Sequence, residues 1–234
     1  MITMPDTSLR MISSMATREL LAALAVQFRL RTNQSVEASA GGGVDVAKRI
    51  EQGEAFDVVV LASNAIDKLM ASGKVLPGSR VDLVESGVAI AVRAGAPRPA
   101  IATEEDVKAA VLATPTLSYS TGPSGVYLEK LFERWGILEQ IRSRIVVPPP
   151  GVPVGSLVAA GKVALGFQQL SELMNLEGIA VLGPLPPAIQ TLTVFSGGIC
   201  SVSARPDEGR ALLQFMASAQ AIDTKRQHGM EPPR

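Results

Sequence analysis

An α/β fold is predicted from three features of the sequence: strand-like and helix-like segments alternate, several strand-like segments are apolar throughout, and small residues follow them. A continuous apolar strand such as Phe56–Ala62 is typical of a sheet that is covered on both faces. Hydrophobic residues make up 47% of the 234 residues and aromatic residues only 4%, so aliphatic side chains must form most of the core. We therefore expect parallel strands joined by helical crossovers.

The first part of the chain alternates strand and helix. Leu20, Leu24 and Phe28 recur at helical spacing, which predicts a helix with one buried face. The turn Gly41-Gly42-Gly43 separates the second strand from the second helix. The predicted elements are a strand at Leu9–Ile12, a helix from Thr17 to Arg31, a strand at Ser35–Ala40, a helix at Val44–Gln52, and strands at Phe56–Ala62 and Ser86–Val92.

The second part contains the predicted crossing into another lobe. The segment Ala94–Pro99 is rich in glycine and proline, and Thr191–Phe195 is predicted to return as a strand. We expect lobe 1 to comprise residues 1–88 and 194–234, and lobe 2 residues 89–193. Further predicted elements are a strand at Leu117–Ser120, a helix ended by Gly136, extended chain at Pro148–Pro153, a helix at Ser156–Ala160, a strand at Val163–Phe167, a turn and helix from Gln168 to Leu176, and a last helix from Pro206 to about Arg226.

The composition of the chain excludes several classes of partner and site. Lys plus Arg and Asp plus Glu balance at 22 each, which argues against nucleic-acid or membrane-surface partners, so any bound anion must be held by local groups. The single cysteine, Cys200, and the single histidine, His228, exclude an internal disulfide and a Cys/His zinc cluster. We expect no metal and no cofactor.

The location of the protein is predicted from its N-terminus and its hydropathy. No run approaches the about 20 apolar residues of a membrane span, so no membrane insertion is expected. Pro5 and Asp6 stand where a signal peptide needs an apolar stretch. As written, the chain is predicted to be cytoplasmic, or periplasmic if a leader has been removed.

Four predicted strands end in small, donor-rich residues that immediately start a helix. Free backbone N–H groups at a helix start attract anions, and several such starts at one sheet edge would form a site. For any one turn, capping and turn geometry is the alternative explanation. The four segments are Ser13-Ser14, Gly41-Gly42-Gly43, Ser124-Gly125 and Gly151–Ser156.

Three further groups are candidates for ligand contact. Arg18 can face an incoming carboxylate or remain a solvated surface residue. The amides of Gln168 and Gln169 can orient a polar ligand or bond their own backbone. Asp45 stands at a helix start, where it can cap the helix or, as the minor alternative, act as a catalytic acid or base. No P-loop, dinucleotide fingerprint or nucleophile elbow is present in the sequence.

Over nearly its full length the sequence resembles the molybdate-binding family of ABC-transporter substrate-binding proteins. The resemblance implies a type-II periplasmic-binding-protein fold: mixed sheets with helices on both faces, two lobes joined by two crossing strands as a hinge, and a small anion held between them. It places Ser14, Ser124 and Val152 at ligand positions and implies an ABC transporter as partner if the protein is exported. The resemblance to this family rests on the segments Ser13–Ala16, Gly41–Gly43, Ala47–Gly53, Phe56–Ala62, Pro123–Tyr127 and Ala164–Phe167.

The departures from that family point to a different ligand. Gly41-Gly42-Gly43 replaces a serine-bearing loop, and Gln169 replaces a ligand-binding tyrosine. A glutamine offers an acceptor as well as donors, which suits an organic di- or tricarboxylate better than a fully ionised oxyanion.

An enzyme is the alternative to a receptor. The sequence also resembles aconitate isomerases, which implies cofactor-independent proton transfer on an unsaturated tricarboxylate. The lack of a visible leader favours this alternative. The candidate bases are Asp45, Glu172 and Tyr119.

Overall fold

The computed structural model describes residues 8–149 and 151–234. Met1–Thr7, on which the signal-peptide prediction rests, and Pro150, within the predicted extended segment, lie outside the described residues. The chain forms two compact units: unit 1 runs to Glu85 and resumes at Val194–Arg234, and unit 2 is Ser86–Thr193. The chain therefore passes from one unit to the other twice.

Unit 1 begins with parallel strands and helical crossovers. Strand β1 pairs in parallel with β2 on one side and with β3 on the other. In this register Ser14 lies beside Gly41, so the carboxyl ends of the strands share one edge of the sheet. The elements are β1 (Leu9–Ser14), α1 (Arg18–Thr32), β2 (Val36–Gly41), α2 (Gly43–Glu51), β3 (Val58–Ala62), α3 (Ser63–Ala71) and the start of β4 (Val81–Arg93).

Both faces of the unit 1 sheet are buried, as the apolar strands predict. Met11 and Val60 belong to a cluster with Leu24 on α1. The alternate residues Ile12 and Val59 belong to a second cluster that α2 and α3 cover from the other face. Because each residue along β3 is buried, the sequence shows no polar alternation there.

Unit 2 contains a mixed sheet. Strand β6 pairs in parallel with β5 and antiparallel with β4, and β7 also pairs antiparallel with β4. The elements after β4 are α4 (Glu104–Ala113), β5 (Leu117–Tyr119), α5 (Pro123–Arg134), α6 (Leu138–Ile141), α7 (Val154–Ala159), β6 (Leu165–Gln169), α8 (Leu170–Leu173), β7 (Ile179–Pro184) and β8 (Leu192–Ile199).

The chain returns to unit 1 along β8, which pairs antiparallel with β3. Two helices follow, α9 (Pro206–Ala217) and α10 (Ile222–Gln227), where the sequence predicted one. The break lies at Ser218, whose backbone is extended and whose Oγ donates to the Phe215 carbonyl oxygen at 2.7 Å. A serine hydroxyl that bonds the preceding turn ends the helix instead of extending it.

Several elements depart from the predictions. The predicted strand Ser86–Val92 is only the later part of the 13-residue strand β4, which begins at Val81. Helices α3 and α4 and strand β7 were not predicted, although Thr103 and Asp106 form a capping box that marks the start of α4. The segment predicted as extended chain contains a turn, in which the Val152 N–H donates to the Pro149 carbonyl oxygen at 3.0 Å.

Candidate functional site

The carboxyl edge of the unit 1 sheet is formed around Ser14. Ser14 is 7% exposed, and its Oγ lies 3.5 Å from Thr17 Oγ1, which donates to the Ser14 carbonyl oxygen at 3.1 Å. A Cβ added to Gly43 would lie 4.0 Å from the Ser14 Cβ, so the start of α2 approaches this hydroxyl. The serine and the helix start therefore form one group.

The start of α2 presents backbone donors. Gly42 is its N-cap, and the first N–H bonded within the helix is that of Val46, which donates to the Gly42 carbonyl oxygen at 2.9 Å. The N–H groups of the three residues from Gly43 to Asp45 consequently have no acceptor inside the helix. Glycine stands at positions 41, 42 and 43, and the side chain nearest to Gly42 is the carboxylate of Asp45.

Three other predicted residues of unit 1 take structural positions. Ser13 is 2% exposed, and its Oγ donates to the Ser14 carbonyl oxygen at 3.2 Å. Arg18 is exposed and pairs with Glu19 at 2.7 Å, so its guanidinium lies in a surface ion pair. Asp45 is exposed at the third position of α2, where its carboxylate lies beside Gly42 and interacts favourably with the positive end of the helix dipole. The geometry favours the structural alternative for all three.

In unit 2, Ser124 is paired with a second hydroxyl that the sequence reading did not single out. Ser124 is 3% exposed, and its Oγ lies 2.9 Å from Ser120 Oγ at the end of β5. Gly125 makes this approach possible, because a Cβ there would lie 1.6 Å from the Ser120 carbonyl oxygen. Two serines four residues apart across a strand-to-helix turn are the signal that would have found the pair.

Gln168 is a buried link between two helix starts. It is 3% exposed, its Oε1 accepts from the Gly155 N–H at 3.0 Å, and its Nε2 donates to Glu172 Oε2 at 2.6 Å. The amide thus caps α7 and holds the carboxylate at the start of α8. Both ends of the amide are thus engaged by the protein, and Glu172 is a carboxylate of fixed position near the end of β6.

Gln169 is likewise engaged by the protein itself. In the amide orientation that satisfies both of its ends, Oε1 accepts from Thr193 Oγ1 at 2.9 Å, and Nε2 donates to Ser86 Oγ at 3.0 Å and to the Gly87 carbonyl oxygen at 3.2 Å. The residue is 4% exposed. Gln169 therefore ties the end of β6 to β4 and β8 at the residues where unit 2 begins and ends, and both ends of its amide are engaged by the protein.

Two further residues of the predicted site make contacts within the protein. The backbone N–H of Val152 is used in its turn with Pro149 and is not a free donor. Tyr119 packs against Phe132 with the ring centroids 5.9 Å apart, and burial raises the pKa of Tyr119, with a further rise from Glu129 and an opposing effect of Arg142. A phenol with a raised pKa stays protonated near neutral pH and is poorly suited to act as a base.

Within residues 8–149 and 151–234, no group of three or more His, Cys, Asp or Glu side chains is arranged to hold a metal ion. In the same part of the chain, no helix has both the length and the apolar character needed to span a membrane.

Relatives of the chain were found at the level of sequence and of fold. Aconitate isomerase from Pseudomonas sp. is 36% identical over 236 residues, which cover 97% of this chain and 89% of that protein. The periplasmic molybdate-binding protein of Azotobacter vinelandii is 22% identical, with a TM-score of 0.80 over 97% of this chain and all of that chain. The sulfate-binding protein SubI of Mycobacterium tuberculosis is 19% identical, with a TM-score of 0.78 over 97% of this chain and 87% of that chain.

The two solved structures confirm the predicted α/β fold of the periplasmic-binding-protein type. A family model described as bacterial extracellular solute-binding protein matches residues 9–231. Since that match spans nearly every described residue, this chain belongs to the bacterial extracellular solute-binding protein family.

Proposed function

We propose that the chain binds a small organic polycarboxylate through hydroxyl and backbone N–H donors at the carboxyl ends of its strands. The observation that carries this proposal is the 36% identity to an aconitate isomerase over 97% of the chain. The donors available for carboxylates are the Ser14 hydroxyl with the start of α2, and the Ser120 and Ser124 hydroxyls. Hydroxyl and N–H bonds to a carboxylate are charge-assisted and need no neighbouring cation.

An acceptor at the edge of unit 2 favours an organic anion over molybdate or sulfate. Glu172 lies three residues after the end of β6, and its carboxylate accepts a hydrogen bond from Gln168 at 2.6 Å. A carboxylate repels every anion, and a fully ionised tetrahedral oxyanion, which only accepts hydrogen bonds, offers it no favourable contact in return. An organic acid also presents C–H groups, which a carboxylate can approach and deprotonate.

A second candidate function, isomerisation of an unsaturated tricarboxylate, is favoured by the same relative and by the placement of Glu172. In this proposal Glu172 removes a proton from the carbon next to the double bond. The electron pair of that C–H bond forms a new C=C bond, and the far carbon of the old C=C bond takes a proton from the protonated Glu172, which exchanges with water. The substrate is thus isomerised with no net gain or loss of atoms or electrons.

Binding is tested by calorimetry with cis-aconitate, trans-aconitate, tricarballylate, molybdate and sulfate. We expect the tricarboxylates to bind and the oxyanions to bind at least tenfold more weakly. Because a ligand at 100 times its Kd stabilises the folded state by about 2.7 kcal/mol, a thermal shift gives an independent readout. Tight molybdate binding with no response to any tricarboxylate would overturn the choice of ligand.

Catalysis is tested by incubating cis- or trans-aconitate with the protein in heavy water. We expect the opposite isomer with deuterium on carbon, and a loss of about 10²–10⁴-fold in rate for Glu172→Gln, since positioned general bases contribute that much. The exposed Glu177→Gln serves as a matched control in the same unit. Binding without isomerisation or label would reduce the function to that of a receptor, and full activity of Glu172→Gln would remove Glu172 as the base.

We further propose that the protein works in the periplasm, the second of the two predicted locations, because its family is one of extracellular proteins. An ABC transporter is then the expected partner of a receptor, whereas an enzyme needs none. Cell fractionation of the native host tests the location. Loss of tricarboxylate uptake after gene deletion, with isomerase activity absent, would support the transporter.

A further inference from the structure

The buried amide of Gln168 is held in one orientation. Its Oε1 accepts from the Gly155 N–H at 3.0 Å, and a backbone N–H can only donate. Its Nε2 must therefore face the other way, where it donates to Glu172 Oε2 at 2.6 Å. The side chain is 3% exposed, so its amide depends on these two protein partners. Hydrogen bonds of fixed direction thus run from the start of α7 to the carboxylate.

The direction of these bonds favours one protonation state of Glu172. An ionised carboxylate only accepts hydrogen bonds, and an N–H that donates to it stabilises the charged form. If Glu172 Oε2 carried the proton, two donors would face each other across 2.6 Å. Because the Gly155 N–H holds the amide oxygen, Gln168 cannot turn that oxygen toward a protonated carboxyl. Glu172 is partly exposed, so a substrate can reach the carboxylate that Gln168 holds.

A glycine at position 155 makes this contact possible. Helix α7 lies close to α8 at this point, since a Cβ added to Gly155 would lie 2.7 Å from Leu176 Cδ2 and 3.0 Å from Leu173 Cδ2. Leu173 is fully buried and has little room to move. A side chain at position 155 would therefore push α7 away from α8, and with it the N–H from which Gln168 accepts.

The segment Gly151–Ser156 thus supplies a donor to the protein itself. Its Gly155 N–H is bonded to Gln168, and its Ser156 N–H donates to the Pro153 carbonyl oxygen at 3.1 Å. The first turn of α7 therefore contributes to the site through the amide of Gln168, which passes the effect of a backbone donor on to the carboxylate at the start of α8.

We propose that Gln168 is a positioning residue, which keeps Glu172 ionised and in one orientation so that it can take a proton from the substrate. The proposal rests on the isomerase function proposed above and adds to it a residue that acts through Glu172 alone. A merely structural Gln168 would cap α7 and affect only the stability of the fold. A positioning Gln168 also governs the pH at which Glu172 takes up a proton.

The variant Gln168→Glu separates the two roles. The new side chain can still accept from the Gly155 N–H, but its second oxygen cannot donate to Glu172 unless it takes up a proton. Two carboxylates this close share one proton, and the pair holds it to a higher pH than Glu172 does alone. We expect kcat near neutral pH to fall about 10–100-fold with KM changed less than about threefold. The rate should then recover as the pH rises through a range in which the wild type is constant.

Gln190→Glu is the matched control. It makes the same substitution at a glutamine of unit 2 whose Oε1 accepts from the Val88 N–H at 2.9 Å and whose Nε2 donates to the Val88 carbonyl oxygen at 3.0 Å. Because none of these bonds involves Glu172, the pH profile of the rate should remain that of the wild type.

Carbon NMR gives a readout that needs no turnover. In protein labelled with ¹³C at its glutamate carboxyl groups, the Glu172 signal is assigned by its loss in Glu172→Gln and is then followed against pH. We expect its titration midpoint to rise by about one pH unit or more in Gln168→Glu, and also in the uncharged variant Gln168→Met, which loses the donor. In Gln190→Glu the midpoint should stay at the wild-type value.

A midpoint that is the same in the wild type, Gln168→Glu and Gln168→Met would overturn the proposal, and so would an unchanged pH profile of the rate in an active Gln168→Glu. The isomerase function can fail separately. If the wild type bound aconitate without isomerising it while the midpoint still moved, that function would be lost, and the control of the Glu172 charge by Gln168 would stand.

Discussion

The two units use the carboxyl ends of their strands differently. In unit 1 the edge presents the Ser14 hydroxyl and the start of α2, beside which the exposed carboxylate of Asp45 lies. In unit 2 the hydroxyls of Ser120 and Ser124 form a pair, and the carboxylate of Glu172 is oriented by the buried amide of Gln168. A carboxylate that a buried amide holds in place is better suited to transfer a proton than an exposed one. Under the proposed function, this difference favours unit 2 as the place of proton transfer.

The largest expected effect is a loss of stability when a glycine at the carboxyl edge of a sheet is replaced by alanine. Gly125→Ala should destabilise the protein by about 3–5 kcal/mol or prevent folding, because its Cβ would lie 1.6 Å from the Ser120 carbonyl oxygen. Gly43→Ala should cost less than about 1 kcal/mol, since the nearest atoms would lie 4.0 Å away. Urea unfolding measures both. Equal stability of the two variants would show that the unit 2 turn is not sterically constrained.

The next effect concerns the serine hydroxyls. Ser14→Ala and Ser124→Ala should each weaken tricarboxylate binding by about 1–3 kcal/mol, the usual loss for a hydrogen bond to a charged group. Ser13→Ala is the control, since its hydroxyl donates to the neighbouring carbonyl oxygen at 3.2 Å. Calorimetry gives the three affinities. A loss confined to one unit would mean that the other edge does not bind the ligand.

The smallest expected effect is on the pH dependence of stability, to which a titratable group of each unit contributes. Lys225 in unit 1 is 1% exposed, and burial lowers the pKa of Lys225 below its ordinary 10.5. At pH values below this lowered pKa, Lys225 is charged in the folded protein, and folding includes the full free-energy cost of burying the charge. Stability should therefore rise as pH increases from that pKa to 10.5, because the unfolded chain keeps its proton longer.

Tyr119 in unit 2 should act in the opposite sense, since burial raises the pKa of Tyr119 above its ordinary 10.0. Stability should fall as pH rises from 10.0 to the raised pKa, where only the unfolded chain has lost the phenol proton. The urea concentration at the unfolding midpoint, measured between pH 8 and 11, reports both effects. In Lys225→Met the rise in stability with pH should be absent, and in Tyr119→Phe the fall should be absent. Unchanged pH profiles in both variants would contradict these shifts.

Features with a local signal were predictable from the sequence. The strands β1 to β3 and helices α1 and α2 follow from apolar runs and helical spacing, and Ser14 and Ser124 stand at strand-to-helix turns. The roles of Gln169 and Val152 were not predictable in this way. Gln169 is bonded to Ser86 and Thr193, which are distant in sequence, and the N–H of Val152 is taken up by a turn within a proline-rich segment.

The tie made by Gln169 has a consequence for how this chain can change its specificity. Its amide bonds Ser86 and Thr193, so a substitution toward the tyrosine of the molybdate-binding family would first leave buried polar groups without partners. Permissive replacements at positions 86 and 193 would have to come earlier. The effect of a tyrosine at position 169 therefore depends on the residues at positions 86 and 193, whereas substitutions at Ser120 or Glu172 do not disturb this tie.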